Sequence, residues 1–406
     1  MAFDFNLDDR YHFRPTLKIP ARPFFDWDGI LEEQLKVLAF QIGMTELVSY
    51  WKIACPKKVV VKPFALTEPQ KAFWKKLYYN GLGEFLYLNS INVSESDLME
   101  VESIGKQVFG KVETPLMEKT LVPVGGGKDS VVTLECLRNE MPVIPLIVNP
   151  RGATLNCVNT AGYKDDGFVV INRTLDPTML QLNAEGYLNG HTPFSALLAF
   201  ISVLVAFGSR SRYIALSNEN SANESTVPGT NINHQYSKSI EFESDFRNYV
   251  AENLNKEVQY FSFLRPLSEL QIAKLFSECE AYHSVFRSCN VGSKTDSWCG
   301  HCPKCLFTWI ILSPFLSKEK LTAIFGKDLM ADASLQPILE ELNGTAAVKP
   351  FECVGTVEEV RACLAATTKV PEPVEGPTIT EILSRFNPHH FLPEKFEQIL
   401  KTRLYV

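Results

Sequence analysis

Hydrophobic positions in the first 115 residues recur mainly at helical spacing. Apolar side chains are three or four residues apart in 30–54 and again in 66–89, which predicts two helices. Thr67 supplies a cap signal at the start of the second helix. A short apolar run at 57–66 predicts a strand. Because the segment is also rich in aromatic residues, we expect an aromatic-rich α+β domain here.

The pattern changes near residue 116, where short β-branched runs begin to alternate with helical stretches. Such alternation is typical of an α/β fold with a doubly wound parallel sheet. Strands are predicted at 120–124, 143–148, 167–172, 212–217 and 258–264. Helices are predicted near 129–138, 194–207, 239–253 and 268–278.

These shifts in pattern divide the chain into predicted segments. A length of 406 residues is typical of a chain with two or three domains. We expect an N-terminal substrate-side domain at 1–115, a sheet domain at 116–285, a cysteine module with helices at 286–345 and a C-terminal extension at 346–406. Inside the extension, the proline-containing stretch 367–378 is typical of a linker.

Composition excludes several classes of protein. Hydrophobic residues make up 45% and charged residues 21%, as in ordinary globular proteins, and the formal net charge of −7 argues against a nucleic-acid-binding surface. The longest apolar stretch, 194–207, is shorter than the roughly 20 residues of a membrane span, so a buried helix is expected. The acidic start carries no apolar export signal. The ten cysteines are therefore expected to be reduced thiols in the cytoplasm.

A glycine-rich turn, VPVGGGKDS, occupies residues 122–130 and leads into a predicted helix. Glycines let backbone N–H groups approach an anion closely, and a helix N-terminus adds roughly half a positive charge. A Walker loop would need a glycine five residues before Gly127 and a serine or threonine directly after Lys128. A dinucleotide fingerprint would need an acid at the end of the next strand, which is absent. The turn therefore predicts a phosphate site of another type, or a tight turn without a ligand.

The GGGKDS segment resembles the Ser-Gly-Gly-x-Asp-Ser motif of the ATP pyrophosphatase, or PP-loop, family, with Gly125 where that family usually has serine. The resemblance implies a fold like that of the adenine nucleotide α-hydrolases and cleavage of ATP to AMP and pyrophosphate. It also implies that Lys128 offsets phosphate charge and that Asp129 holds Mg²⁺, a cation that prefers oxygen ligands. The implied ATP-binding residues are Gly125, Gly126, Gly127, Lys128, Asp129 and Ser130.

Four cysteines with C-x9-C-x2-C-x2-C spacing predict a metal centre. They are Cys289, Cys299, Cys302 and Cys305. Four thiolates close a tetrahedral structural Zn²⁺ site, which is the simplest interpretation. Replacement of one thiolate by His301, an iron–sulfur cluster or unbound reduced thiols are alternatives. PP-loop synthases that form a nitrile on deazaguanine have a similar cluster after the sheet domain, which supports the family resemblance.

A long polar loop leaves the fourth predicted strand, where ligands of α/β sheets bind. By residue type, His234 and Lys238 are candidates for proton transfer, with Glu219 as a third. The alternative is a solvated surface loop. Candidates for substrate binding are Arg151, which could also be a surface arginine, His191, which could also be a helix cap, and Asn218, Glu224 and Asn233.

Phrases along nearly the whole chain resemble the bacterial MurL family of UDP-N-acetylmuramoyl-L-alanyl-L-glutamate epimerases. They lie at 43–52, 74–89, 125–130, 217–224, 233–239, 299–305, 349–355 and 389–393. The resemblance implies ATP-dependent epimerisation of the terminal L-glutamate to D-glutamate in peptidoglycan precursor synthesis. An acyl-adenylate would form, and AMP and pyrophosphate would leave. The implied cofactors are ATP, Mg²⁺ and structural Zn²⁺, and the implied partner is the UDP-linked muramoyl dipeptide. The net charge and the short apolar stretch predict neither a nucleic-acid nor a membrane partner.

Two other functions stay open at this stage. One is a PP-loop enzyme that modifies RNA or deazaguanine, which the acidic charge and the lack of a basic, aromatic-interleaved domain disfavour. The other is a zinc-stapled nucleotide-binding module without catalysis, which the Asp129 carboxylate beside the loop disfavours.

Overall fold

The computed structural model describes residues 1–227, 229–367 and 376–405, with the side chain of Asp165 left out. Most of the predicted linker at 367–378 therefore lies outside the described residues.

Strands and helices follow the predicted rhythm closely. The strands are β1 (Phe5–Leu7), β2 (Tyr11–Phe13), β3 (Thr16–Lys18), β4 (Lys58–Val61), β5 (Glu100–Ser103), β6 (Met117–Pro123), β7 (Val143–Val148), β8 (Val169–Thr174), β9 (Ser211–Leu216) and β10 (Gln259–Ser262). The helices are α1 (Glu32–Trp51), α2 (Glu68–Gly81), α3 (Gly83–Leu88), α4 (Lys128–Leu137), α5 (Gly152–Thr160), α6 (Pro177–Ala184), α7 (Phe194–Ser209), α8 (Ile240–Asn253), α9 (Glu269–Ser277), α10 (Pro303–Leu312), α11 (Lys318–Phe325), α12 (Gln336–Leu342), α13 (Val357–Thr367), α14 (Ile379–Leu383) and α15 (Glu394–Tyr405). The α/β class and the strands predicted after residue 116 are confirmed, since β6 to β10 coincide with them within a few residues.

The main sheet has six strands in the order β10-β9-β6-β7-β8-β3. Strands β6 and β9 are parallel neighbours. From β6 the chain adds β7 and β8 on one side and β9 and β10 on the other, which is the switch point of a doubly wound sheet. The prediction of an all-parallel sheet is wrong at one edge, because β3 pairs antiparallel with β8. Strand β3 has only three residues and lies between Pro15 and Pro20, a composition that suits an edge position and gives little periodic signal.

The described residues form two compact units, each assembled from several segments. The first contains Met1–Leu121, Val169–Ile214 and Asn231–Tyr260, and the second contains Val122–Phe168, Ala215–Thr230 and Phe261–Val406. The domain boundaries predicted near residues 115, 285 and 345 stay predictions.

Aromatic side chains fill the core of the first unit. Helix α7 is buried along almost its whole length, as its uninterrupted apolar sequence predicts. Phe200 on α7 stacks on Trp74 of α2 with ring centroids 5.2 Å apart. Phe246 of α8 packs edge to face against the Phe200 ring. Such pairs add about 0.5–1.5 kcal/mol each beyond area burial, so they stabilise the packing of α2, α7 and α8.

The second unit contains strand β7 and helices α4, α5 and α9 to α15. Helix α9 packs on α4 and α10 through a fully buried apolar face that includes Leu270, Ile272 and Phe276. Its first turn is fixed by a reciprocal cap, in which Ser268 accepts from the Gln271 N–H while the Gln271 side chain accepts from the Ser268 N–H. The first turn of α9 is therefore fixed shortly after the carboxyl end of β10.

Candidate functional site

In the second unit, the glycine turn leads directly from β6 into α4. Gly126 adopts a φ of +82°, and a Cβ there would lie 2.9 Å from backbone atoms of Ala153 and Thr154. A Cβ on Gly127 would lie 2.8 Å from Oγ of Ser288. A Cβ on Gly125 meets nothing within 4 Å, so a serine hydroxyl would fit there. The departure from the Ser-Gly-Gly-x-Asp-Ser motif therefore has no steric cause, whereas glycine is required at 126.

The chain around residue 288 also fixes this turn from outside. The Arg287 N–H donates to the Gly126 carbonyl oxygen at 2.8 Å. Cys289, one of the four clustered cysteines, is only two residues further along. Residues 287–289 thus contact the glycine turn and also supply the first cysteine of the cluster.

Lys128 occupies the first position of α4 with only 3% of its surface exposed. Its ammonium donates to Oδ1 of Asp129 at 2.5 Å and to Oε2 of Glu269. Burial alone would lower the pKa of Lys128, but the charges of both carboxylates and its bonds to them raise it above its ordinary value. The lysine is therefore a permanent positive charge within the turn.

Asp129, Glu219 and Glu269 form an acidic group in the second unit, with one oxygen of each within 4.8 Å of the others. They follow the carboxyl ends of β6, β9 and β10, respectively. Glu219 and Glu269 are each only 4% exposed. Burial raises the pKa of Glu269 well above its ordinary value, Lys128 opposes this shift, and the charges of Asp129 and Glu219 add to it. Three clustered carboxylates, two of them buried, supply the oxygen ligands that a hard divalent cation such as Mg²⁺ prefers.

Glu269 was missed by sequence reasoning, whereas Asp129 and Glu219 were singled out. Its signal is the Ser268–Gln271 capping pattern, which places an acid at the start of the helix after the last strand. The backbone oxygen of Glu219 also accepts a 2.6 Å bond from Arg265, which is fully buried. A second cation thus fixes the backbone of this acidic group.

The other candidates of the second unit lie around the acidic group and the cysteines. Asn218 donates to Oγ of Ser262 at 3.0 Å, which ties the end of β9 to β10. Glu224 forms an ion pair with Lys349 from the C-terminal region. Arg151 is the N-cap of α5 and donates to Oγ of Ser293 beside the cysteine cluster. Ser130 is buried and donates back to the Gly127 carbonyl oxygen at 3.0 Å.

The four predicted cysteines meet in the second unit and could bind a metal such as zinc. The sulfur–sulfur distances are 3.7 Å for Cys289–Cys302, 3.7 Å for Cys299–Cys305 and 3.5 Å for Cys302–Cys305. A tetrahedron with metal–sulfur bonds of about 2.3 Å has sulfur–sulfur edges of about 3.8 Å. The thiols therefore fit one tetrahedral ion. His301 is exposed and contacts the Cys299 carbonyl oxygen through Nδ1, outside the four-sulfur group.

We expect Cys302→Ser to reduce bound metal from about one ion per chain to nearly none, and to lower the thermal unfolding midpoint. The reason is that a serine hydroxyl replaces one of four thiolates in a largely buried site. Metal content by mass spectrometry and thermal unfolding measure both effects. Cys279→Ser is the matched control, because Cys279 lies outside the group and a hydroxyl can keep its bond to the Leu275 carbonyl oxygen. Full metal content in Cys302→Ser would exclude this site.

In the first unit, Glu84, His191 and His234 converge. Nδ1 of His234 is hydrogen bonded to Oε2 of Glu84, and Nδ1 of His191 lies 3.7 Å from the same oxygen. The two imidazole rings are 4.4 Å apart between centroids. Burial and the neighbouring His234 lower the pKa of His191 to about 4, against the opposing charge of Glu84. His191 is therefore neutral at physiological pH.

Two lysines act on this histidine pair. Lys52 is buried and donates to the Gly190 carbonyl oxygen at 2.5 Å and to Oδ1 of Asn189 at 3.1 Å. Burial, with the nearby charge of Arg173, lowers the pKa of Lys52 to about 8. Lys238 is half-buried at the end of a short 3₁₀ turn, and its charge contributes to the lowered pKa of His191. Among these groups, the lowered pKa of Lys52 brings its proton exchange close to neutral pH.

The structure separates the three predicted proton-transfer residues into two sets. His234 and Lys238 lie in the first unit with His191, while Glu219 lies in the second with Asp129. Asn233 accepts a 2.7 Å bond from the Gln235 N–H and so shapes the turn that presents His234. Glu84 was missed by sequence reasoning, because a single acid in a short helix carries no local pattern.

Within the described residues, no helix combines the length and the apolar character that crossing a bilayer requires. A buried lysine between carboxylates in the second unit and a histidine pair beside a glutamate in the first are features typical of enzymes. Family models confirm a narrower class: the MurL N-terminal domain matches residues 1–263 and the MurL C-terminal domain matches residues 282–393. The chain belongs to the MurL family.

Three relatives support this assignment, and each is named UDP-N-acetyl-alpha-D-muramoyl-L-alanyl-L-glutamate epimerase. The protein of Micromonospora sp. is 35% identical over 382 residues, or 91% of this chain and 82% of that one. The protein of Salinispora tropica is 38% identical over 85% of this chain and 75% of its own. The protein of Xanthomonas oryzae pv. oryzae is 32% identical over 92% of this chain and 83% of its own.

Proposed function

We propose that the protein epimerises the terminal L-glutamate of UDP-N-acetylmuramoyl-L-alanyl-L-glutamate to D-glutamate, in an ATP-dependent reaction that proceeds through an acyl-adenylate. AMP and pyrophosphate are released, and the product enters peptidoglycan precursor synthesis. The observation that carries the ATP dependence is the glycine turn with Lys128 beside Asp129, Glu219 and Glu269. The names of the relatives support the substrate.

Activation of the substrate carboxylate explains why an epimerase would use ATP. The α-proton beside an ionised carboxylate is a very weak acid, because its removal concentrates negative charge. An acyl-adenylate removes the carboxylate charge and turns the carbonyl into an electron sink. A side-chain base can then take the proton, and its return to the other face inverts the centre.

In this proposal the residues of the second unit bind and orient the nucleotide. The turn residues Gly125, Gly126 and Gly127, with Ser130, offer backbone N–H groups and a hydroxyl to phosphate oxygens at the start of α4. Lys128 offsets their charge from its buried position. Asp129, Glu219 and Glu269 are the residues that would hold Mg²⁺, which when bound neutralises phosphate charge. We therefore transfer Glu219 from the proton-transfer set to the cation set.

The remaining candidates divide between proton transfer and substrate recognition. His234 and Lys238 are the proposed proton-transfer residues of the first unit. We propose substrate-binding roles for Arg151, His191, Asn218, Glu224 and Asn233. The cysteine cluster holds a structural zinc ion in this scheme. None of the ten cysteines, which all lie within the described residues, forms a disulfide, and this fits a cytoplasmic setting.

Pyrophosphate release with Mg²⁺ and ATP tests the proposal. We expect release with UDP-N-acetylmuramoyl-L-alanyl-L-glutamate, none with UDP-N-acetylmuramoyl-L-alanine and none with carboxydeazaguanine. In D₂O, one deuterium should enter the α-position of the glutamate, as detected by mass spectrometry. Release with carboxydeazaguanine alone would place the protein among nucleoside-modifying enzymes, and nucleotide binding without release would indicate a binding module.

A further inference from the structure

The carboxylate of Glu84 lies beside His234 and is largely buried. Glu84 is near the start of α3, between Leu82 and Phe85, which are both fully buried. The Glu84 and His234 side chains are only 12% and 11% exposed. Their contact joins positions 150 residues apart in the sequence, so it is a product of the fold and not of a local turn.

This contact fixes which nitrogen of His234 can accept a proton. A carboxylate accepts hydrogen bonds, so the neutral imidazole that faces it carries its hydrogen on Nδ1. The lone pair then lies on Nε2. When Nε2 takes a proton, the carboxylate on Nδ1 stabilises the resulting imidazolium, as the aspartate of a catalytic triad does.

His191 limits the group to one transferable proton. Its ring lies against that of His234, and both rings approach one oxygen of Glu84. The charged groups that act on His191 are Glu84, Lys52 and Lys238, of which only Glu84 favours its protonation. Because the two rings cannot both be charged at neutral pH, a proton taken up by the pair resides on His234.

We propose that Glu84 is the positioning residue for His234 and that this pair, with neutral His191 beside it, exchanges the α-proton of the substrate. The inference rests on the proposed epimerisation and names its proton-transfer unit. The C–H bond at the α-carbon breaks, its electron pair passes into the activated carbonyl, and the proton forms a bond to Nε2 of His234. Delivery of a proton to the opposite face by the Lys238 ammonium re-forms the C–H bond with inverted configuration, and the imidazolium then releases its proton to solvent.

Deuterium uptake into the glutamate α-position in D₂O, with ATP and the muramoyl dipeptide, tests the pair. We expect Glu84→Gln to slow uptake by about 100-fold. The pH of half-maximal uptake should fall by about one to three units, because an opposite charge beside the imidazolium is lost. Glu84→Asp, which keeps the carboxylate, should recover part of the rate. Glu252→Gln is the matched control, since Glu252 is an exposed glutamate of α8 in the same unit.

A substrate-free measurement separates this inference from the proposed function. Nitrogen-15 shifts of the histidine rings, assigned with His234→Gln, should report hydrogen on Nδ1 of His234 in the native protein and a mixed tautomer in Glu84→Gln. If native enzyme takes up deuterium while Glu84→Gln matches it in rate and pH profile, the positioning role is wrong and the epimerisation stands. If the native enzyme takes up none, the proposed function fails, and the transfer role fails with it.

A metal ion is the competing occupant of these three side chains, which are close enough to share one. Metal content of native protein and Glu84→Gln decides the point. We expect equal content in both, attributable to the cysteines. Loss of an additional ion in Glu84→Gln would overturn the proton-transfer assignment.

Discussion

Replacing Lys128 by methionine is expected to lower the free energy of unfolding by about 3–5 kcal/mol, and to abolish pyrophosphate release. Lys128 and Glu269 are both almost fully buried, so removing the ammonium leaves a carboxylate without its counter-charge in a poorly solvated site. Methionine fills a similar volume, which limits any cavity contribution. Denaturant unfolding and the pyrophosphate assay measure the two effects.

A double variant distinguishes loss of charge balance from loss of packing. Lys128→Met combined with Glu269→Gln removes both charges and should recover at least half of the lost stability without recovering activity. If the single variant is as stable as the native protein, the Lys128–Glu269 pair is not the buried ion pair described above. If the double variant is as unstable as the single one, packing of the lysine stem is the cause.

Replacing Asp129 by asparagine should have the opposite profile, with normal stability and pyrophosphate release reduced by about 10²- to 10³-fold. The Asp129 side chain is 31% exposed, so its amide counterpart keeps access to water. It lies in the first turn of α4, where asparagine is tolerated. The amide lacks the negative charge that a divalent cation requires, so the half-saturating Mg²⁺ concentration should rise.

The control for this variant is Asp166→Asn, an exposed acid in the same unit. It should release pyrophosphate at the native rate and with the native Mg²⁺ dependence. A native rate in Asp129→Asn would remove Asp129 from the nucleotide site. An equal loss in both variants would point to a general effect of net charge.

Local pattern was enough to predict strands β6 to β10 and helices α4, α7, α8 and α9. Strand β7 is a β-branched run with residues buried along it, and its predicted bounds at 143–148 are those of the structure. Strand β3 was missed because three residues cannot display a period, and its pairing with β8 joins segments more than 150 residues apart. The short antiparallel edge is set by tertiary contact and not by propensity.

The candidate sites divide in the same way. The glycine turn and the cysteines carry their own spacing, so the sequence predicted both, and the requirement for glycine at 126 follows from a positive φ. Glu84 and Glu269 acquire their importance from partners 150 and 141 residues away. A single glutamate has no local signature for such a contact, and it becomes recognisable only when the fold brings its partner to it.

Arg287, two residues before Cys289, donates its backbone N–H to the carbonyl oxygen of Gly126. The proposed metal and nucleotide sites would therefore be thermodynamically linked. Any free energy by which metal orders residues 287–289 also orders the turn, and reciprocity requires nucleotide to tighten metal binding by the same factor. We expect a chelator or a thiol oxidant to weaken nucleotide affinity without touching a nucleotide ligand, and saturating nucleotide to slow metal loss. The cysteine cluster would then make the proposed ATP-dependent activity sensitive to metal availability and to thiol oxidation.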